Sequence, residues 1–220
     1  MSSIFRILLF ALISLPWLSL CTIAQNKTTV TQDANNIQGS VTDGVYKNPF
    51  FGIEITLPGS WNSLGGEDSD TARNMTAEAL KSKNSSANEA IDRATDVNRL
   101  LFFYAKEPLG AIDNASIALA VARQPSKFVT AKMVMEATKS AVLKNPDTKL
   151  ISDAQDQTVG GRQFITMELE LALGTKRTPI KYFVTMIKGY SFTFSLSAFD
   201  KESWDILEKS IQSIKFTSNN

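Results

Sequence analysis

The run Tyr182–Phe216, YFVTMIKGYSFTFSLSAFDKESWDILEKSIQSIKF, carries two hydrophobic periods in one contiguous segment. From Tyr190 the residues Tyr190, Phe192, Phe194, Leu196 and Ala198 alternate with Ser191, Thr193, Ser195 and Ser197, the period-2 signature of a strand with one buried face. Lys188 and Gly189 separate this run from the apolar stretch Ile180 to Ile187, and a two-residue loop ending in glycine signals a hairpin. Pairing Ile187 with Tyr190 sets Phe183 opposite Phe194 and Thr185 opposite Phe192, so the rings gather on one side of the sheet. Past Phe199 the period lengthens. Trp204, Leu207, Ile211 and Ile214 recur at intervals of three and four, as on the buried stripe of a helix. Asp200 stands where an N-cap is wanted, and Glu202 lies in the first turn, where a carboxylate complements the helix dipole. The spacing predicts a helix anchored through Trp204 on the aromatic strand face, with a loss of ~3 to 5 kcal/mol for Trp204→Ala.

Upstream, Gly160-Gly161 reads as the turn between a polar strand, Lys149 to Val159, and a strand from Arg162 to Leu173. In the latter Ile165, Met167, Leu169, Leu171 and Leu173 face one way, and Thr166, Glu168 and Glu170 the other. The expected register sets Leu169 and Leu171 beside Phe183, Phe192 and Phe194, because a slip of one residue would bury the two glutamates instead. Thr130 to Lys144 has a helical face of Met133, Val134, Ala137 and Ala141, stopped by Asn145-Pro146. Before it, "RLLFFYA" and "SIALAVA" read as buried strands joined by a hairpin loop with Pro108, Gly110 and Asn114. Ser69 to Val97 shows weak, alanine-rich helical spacing and reads as a helical insertion. "VYKNPFFGIEITLPGSW" places Ile53, Ile55 and Leu57 on one strand face, ended by Pro58-Gly59.

The N-terminal 24 residues hold one charge, Arg6, then an apolar run from Ile7 to Leu20, then small residues at Thr22 and Ala24. That is the pattern of a cleaved secretory signal. The competing reading is an uncleaved membrane tether, against which the run is interrupted by Ser14 and Pro16 and falls short of the ~20 residues a span needs. A lipid-modified Cys21 ranks third, since bulky Leu20 precedes the cysteine. Gln25 to Asp43 is polar and without period, a disordered linker. One α+β domain then runs over 44–216, with a tail at 217–220.

Composition excludes several chemistries. Histidine is absent, which rules out Ser-His-Asp and Cys-His catalysis, His-ligated zinc and a histidine pH switch. Cys21, inside the leader, is the only cysteine, so the mature chain has neither thiol nor disulfide. Without Arg6 the 23 basic residues come level with the 22 acidic ones. No basic field marks a nucleic-acid partner, and no stable membrane insertion is expected once the leader is gone.

The element order, hairpin-linked strands with helices between them, points to an antiparallel sheet flanked by helices in a three-layer α/β/α sandwich of the α+β class. Asn-Pro followed by "FFGIEITLPGSW", together with "YFVTMIKGYSFTFSLSA" running into "WDILEKSIQSIKF", resembles the PsbP-like domains, whose fold is shared with a nuclear Ran-binding factor. The resemblance covers Tyr46 to Phe216 and implies a non-enzymatic binding or assembly domain. The Ser69 to Val97 insert has no counterpart in it, and there are no histidines to carry over as metal ligands.

Among candidate site residues, Glu168 and Glu170 share a strand face and could hold a cation or act as an acid–base pair. The competing reading, an exposed strand face with cross-strand partners such as Lys181, is favoured because surface ion pairs are common and worth only ~0 to 1 kcal/mol. Tyr182, Val184 and Met186 form either a partner-binding patch, with Tyr182 as its anchor, or a surface lying under a helix. Sequons at Asn26, Asn74, Asn84 and Asn114 mark surface loops if used, although chance accounts for them more simply. The expected function is that of a secreted or periplasmic, non-catalytic binding or scaffold domain with a protein or small ligand as partner, and no cofactor or metal. The alternative is a secreted hydrolase using carboxylates, which needs two carboxyl groups ~5 to 9.5 Å apart across a cleft.

Overall fold

The computed structural model describes residues 37–63, 98–108, 111, 113–173 and 176–217. The expected leader, the linker as far as residue 36, the insert at 69–97 and the last three residues lie outside them.

The described residues form eleven strands and two helices. Seven strands make one antiparallel sheet in the order β4-β5-β6-β10-β9-β8-β7. They are β4 (Asn62–Ser63), β5 (Asn98–Ala105), β6 (Ser116–Arg123), β7 (Thr148–Val159), β8 (Arg162–Leu173), β9 (Lys176–Ile187) and β10 (Tyr190–Ser197). Helix α1 (Ala131–Val142) covers one face and α2 (Lys201–Gln212) the other. A small second sheet, ordered β1-β2-β3-β11, unites β1 (Ser40–Thr42), β2 (Val45–Asn48) and β3 (Ile53–Thr56) with β11 (Lys215–Phe216) at the far end of the chain. Its buried residues Tyr46, Ile53 and Ile55 share one core with Phe192, Phe194, Leu207 and Ile211. The architecture is the α+β sandwich expected, with an additional small sheet on the α2 side.

The β9–β10 hairpin follows the sequence reading. Ile187 pairs with Tyr190, Thr185 with Phe192 and Phe183 with Phe194. Lys188 and Gly189 both take positive φ, 51° and 79°, the geometry of a type I′ turn. The rings pack in contact, Phe51 edge-on to Phe192 with centroids 4.5 Å apart and Phe102 tilted against Phe194 at 6.4 Å.

The β8 register corrects the expectation. Leu169 pairs with Ile180, Met167 with Tyr182 and Ile165 with Val184, so Leu169 and Leu171 lie on the α1 face with Tyr182 and Val184. Phe164 takes the place expected of them, its ring 6.3 Å from Phe183 and 6.2 Å from Phe194. The cause is that β9 is apolar on both faces, so alternation alone cannot choose which face β8 matches. Counting from the end of the strand does choose: Leu173 pairs with Lys176, a two-residue connection that brings Leu169 to Ile180.

Three further expectations shift. On α1 the buried side chains are Val134, Met135, Thr138 and Val142, and Met133 is 47% exposed. On α2, Leu207 and Ile211 are buried together with Ile214 just beyond, while Trp204 is only partly buried at the edge of that core. The linker ends earlier than residue 43. Asp43 and Gly44, at φ 51° and 72°, turn β1 into β2, a hairpin that the Asp-Gly pair signals. Ahead of it Ile37 is buried, and Asn48 Nδ2 donates to Ile37 O at 2.6 Å. At the other end, Thr217 N donates to Gly52 O at 2.8 Å, so the tail begins after it.

Candidate functional site

Glu168 and Lys181 are directly opposed across β8 and β9, and directly opposed residues of an antiparallel pair share a face. That face is the one carrying Phe164 and Phe183, at the margin left open by α2. Glu168 Oε1 lies 2.9 Å from Lys181 Nζ, with the two side chains 44% and 22% exposed. Lys181 Nζ also sits 5.4 Å from the Phe183 ring centroid. Helix α2 crosses above and contributes Trp204 and Glu208, four residues apart and therefore on one side of the helix. Leu169, Pro179 and Ile180, with Ile151 from the bulge between Leu150 and Ser152, complete the lining. The result is an open cleft of ≈ 290 Å³.

Helix α2 holds this position through its start. Asp200 accepts from Ser203 N at 2.7 Å and from Ser203 Oγ at 2.8 Å, and these hydrogen bonds hold its carboxyl below the ordinary value. Lys106 Nζ donates to Ser203 Oγ at 3.1 Å. This Ser–Lys–Asp grouping resembles a nucleophile with its base. Yet Ser203 is fully buried, so no substrate reaches its hydroxyl, and the grouping serves as the helix cap.

The candidates from the sequence fall on two faces. Glu168 and Glu170 are on the α2 side; Glu168 lines the cleft and Glu170 lies 3.7 Å from Arg177 Nε. Tyr182 and Val184 have no exposed surface and pack beneath α1 against Val134, Met135 and Val142, with Met186 partly buried at the border. Of the two readings for this trio, the surface under a helix is the one observed. Tyr182 therefore cannot anchor an outside partner in this state. In the sequence Trp204 and Glu208 carry no site signature of their own. Their signal lay in the α2 stripe, where Trp204 begins a row that Leu207, Ile211 and Ile214 suffice to bury.

The cleft brings two carboxylates, Glu168 and Glu208, from separate elements. Neither is buried, and Glu168 is ion-paired with Lys181 at 2.9 Å. Among the described residues no group of three or more metal-ligating side chains comes together. Asn114 is buried, its amide nitrogen donating to Glu107 O at 2.9 Å, which leaves no room for a glycan there. The other three sequons fall outside the described residues.

No family model matches this sequence, and no curated protein matches it either. Solved structures do resemble the fold. Cyanobacterial PsbP from Synechocystis is similar at a TM-score of 0.48 and 17% identity, over 81% of this chain and 96% of that one. Mog1p, a Ran-binding protein of Saccharomyces cerevisiae, is similar at a TM-score of 0.42 and 12% identity, over 80% and 96%. LpqN of Mycobacterium tuberculosis, described as involved in cell envelope biogenesis, gives 0.42 and 16%, over 75% and 83%. Each likeness is one of overall fold alone.

Proposed function

We propose that this chain is an exported, non-catalytic binding domain whose contact site is the cleft of Glu168, Lys181, Trp204 and Glu208. The observation that carries the reading is Trp204. A large aromatic left partly exposed at the border of the core, on a helix already secured by Leu207, Ile211 and Ile214, is more than the packing of that helix needs, and tryptophan is among the residues most enriched at binding hot spots. The open shape of the cleft suits a protruding part of a partner better than an enclosed substrate. Glu170, beside Arg177, belongs to the polar rim, and Met186 to the opposite face. Export is supported by the leader pattern of residues 1–24, and no helix among the described residues is long and apolar enough to cross a membrane.

The reading is tested by placing a photo-crosslinking residue at position 208, in the cleft, and at 144, in the exposed turn just past the end of α1, in cells of the source organism. A defined adduct from 208 that is absent from 144 supports it. No adduct, or the same adducts from both positions, overturns it. N-terminal sequencing of the exported chain is expected to begin at Gln25; a start at Met1 or a lipid-modified Cys21 would overturn the cleaved leader.

A further inference from the structure

We infer that the cleft takes a basic side chain, arginine or lysine, projecting from a protein partner. This deepens the proposal above and rests on it. Size comes first. At ≈ 290 Å³ the cleft lies just below the range of small-molecule pockets, roughly 300 to 1,000 Å³, and it is open along one side, so it matches one long side chain better than a free metabolite.

Charge comes second. Lys181 is matched by Glu168 at 2.9 Å and lies near the Phe183 ring. Among the described residues no salt bridge within 4 Å engages Glu208, which is exposed at the cleft wall; its charge acts on Lys201 only as the smallest of the causes that raise that amine, and Lys201 does not line the cleft. The charge lining the cleft beyond the Glu168–Lys181 pair is therefore negative. The wall beside Glu208 is Trp204, and an indole is the aromatic ring that best attracts a cation over its face. Pro179 and Ile151 supply apolar surface along which the methylene stem of an arginine or lysine can lie. A carboxylate guest would meet Glu168 and Glu208 with only a Lys181 already engaged, so acidic partners are disfavoured by the same residues.

The test uses the full mature chain and three synthetic hexapeptides of the form Gly-X-Gly-X-Gly-Gly with X arginine, glutamine or glutamate, followed by tryptophan emission in low-salt buffer. Mature tryptophans are Trp61, buried at 7% exposure, and Trp204, so the response reports the cleft; Trp204→Phe serves as the blank. The arginine peptide is expected to change the emission saturably, with the glutamine and glutamate peptides at least tenfold weaker. Glu208→Lys is expected to weaken the arginine peptide at least tenfold while leaving the unfolding midpoint in urea unchanged, because Glu208 is exposed. Equal responses to all three peptides, or an arginine response indifferent to Glu208→Lys, overturns the inference. The two readings fail separately. If the arginine peptide gives no response but the adduct from position 208 persists, the cleft binds a partner by other chemistry and only this inference falls. If the adduct is also missing, the binding reading falls with it.

Discussion

Gly160 and Gly161 show how far a single position can be argued from local chemistry. Both take positive φ, 56° and 78°, as the tight β7–β8 turn requires. A Cβ on Gly160 would stand 2.4 Å from Ile214 O, whereas one on Gly161 meets nothing within 4 Å. Gly161→Ala is therefore expected to cost about 1 to 2 kcal/mol, the strain of the left-handed conformation. Gly160→Ala must add displacement of the chain after α2, and urea unfolding should show it clearly less stable than Gly161→Ala. Asp200 gives a prediction with a pH sign. Its carboxyl is held below the ordinary 3.8 chiefly by the Ser203 N–H. A folded value below the unfolded one means the contribution is complete above about pH 4 and is lost as pH falls through the folded value. Asp200→Ala should cost ~0.5 to 2 kcal/mol at pH 7, and the gap to wild type should close in acid melts below pH 3.8.

At the level of elements, the two helices are held by different residues from those their first periodic positions suggest. Leu207 is fully buried and Trp204 is not. Leu207→Ala is expected to cost 2 to 5 kcal/mol (~3), and Trp204→Ala less than Leu207→Ala, in place of the larger loss its size alone suggests. A denaturation series in which Trp204→Ala is the more damaging would put Trp204 in the core. On the other face, Tyr182 sits wholly beneath α1. Tyr182→Ala should lose about 3 to 5 kcal/mol, the range for a large buried aromatic; a fully folded variant at wild-type stability would contradict the packing described.

For the whole molecule, the decisive pairing is β10 with β6, Tyr190 opposite Arg123 through Ser197 opposite Ser116, because it joins the two hairpins across the span that contains α1, β7, β8 and β9. The small sheet closes over a still longer loop, Ile53 opposite Phe216. Such non-local contacts must be made before they return any stability, and sheets of this kind fold in about milliseconds to seconds or slower. Stopped-flow refolding of the mature chain is expected to show no phase faster than ~1 ms that recovers the full native signal; complete submillisecond refolding would refute this topology-limited view.

Sequence alone determined the elements whose pattern is local. The period change near Phe199, the Lys188-Gly189 and Gly160-Gly161 turns and the Asp200 cap are decided within a few residues, and the absence of histidine chemistry by composition. The Glu168–Lys181 pair was legible too, as a surface ion pair. Tertiary structure decided the rest. Where both faces of β9 are apolar, alternation is silent about which neighbour joins which face, and the actual register separated Tyr182 from Glu168. The cleft joins α2 to the margin of β8 and β9, elements that become neighbours only through packing. Trp204 sits on the helix stripe by period but is only partly buried by position, because it packs at the border of the core where the cleft opens, and no local spacing encodes where that border falls.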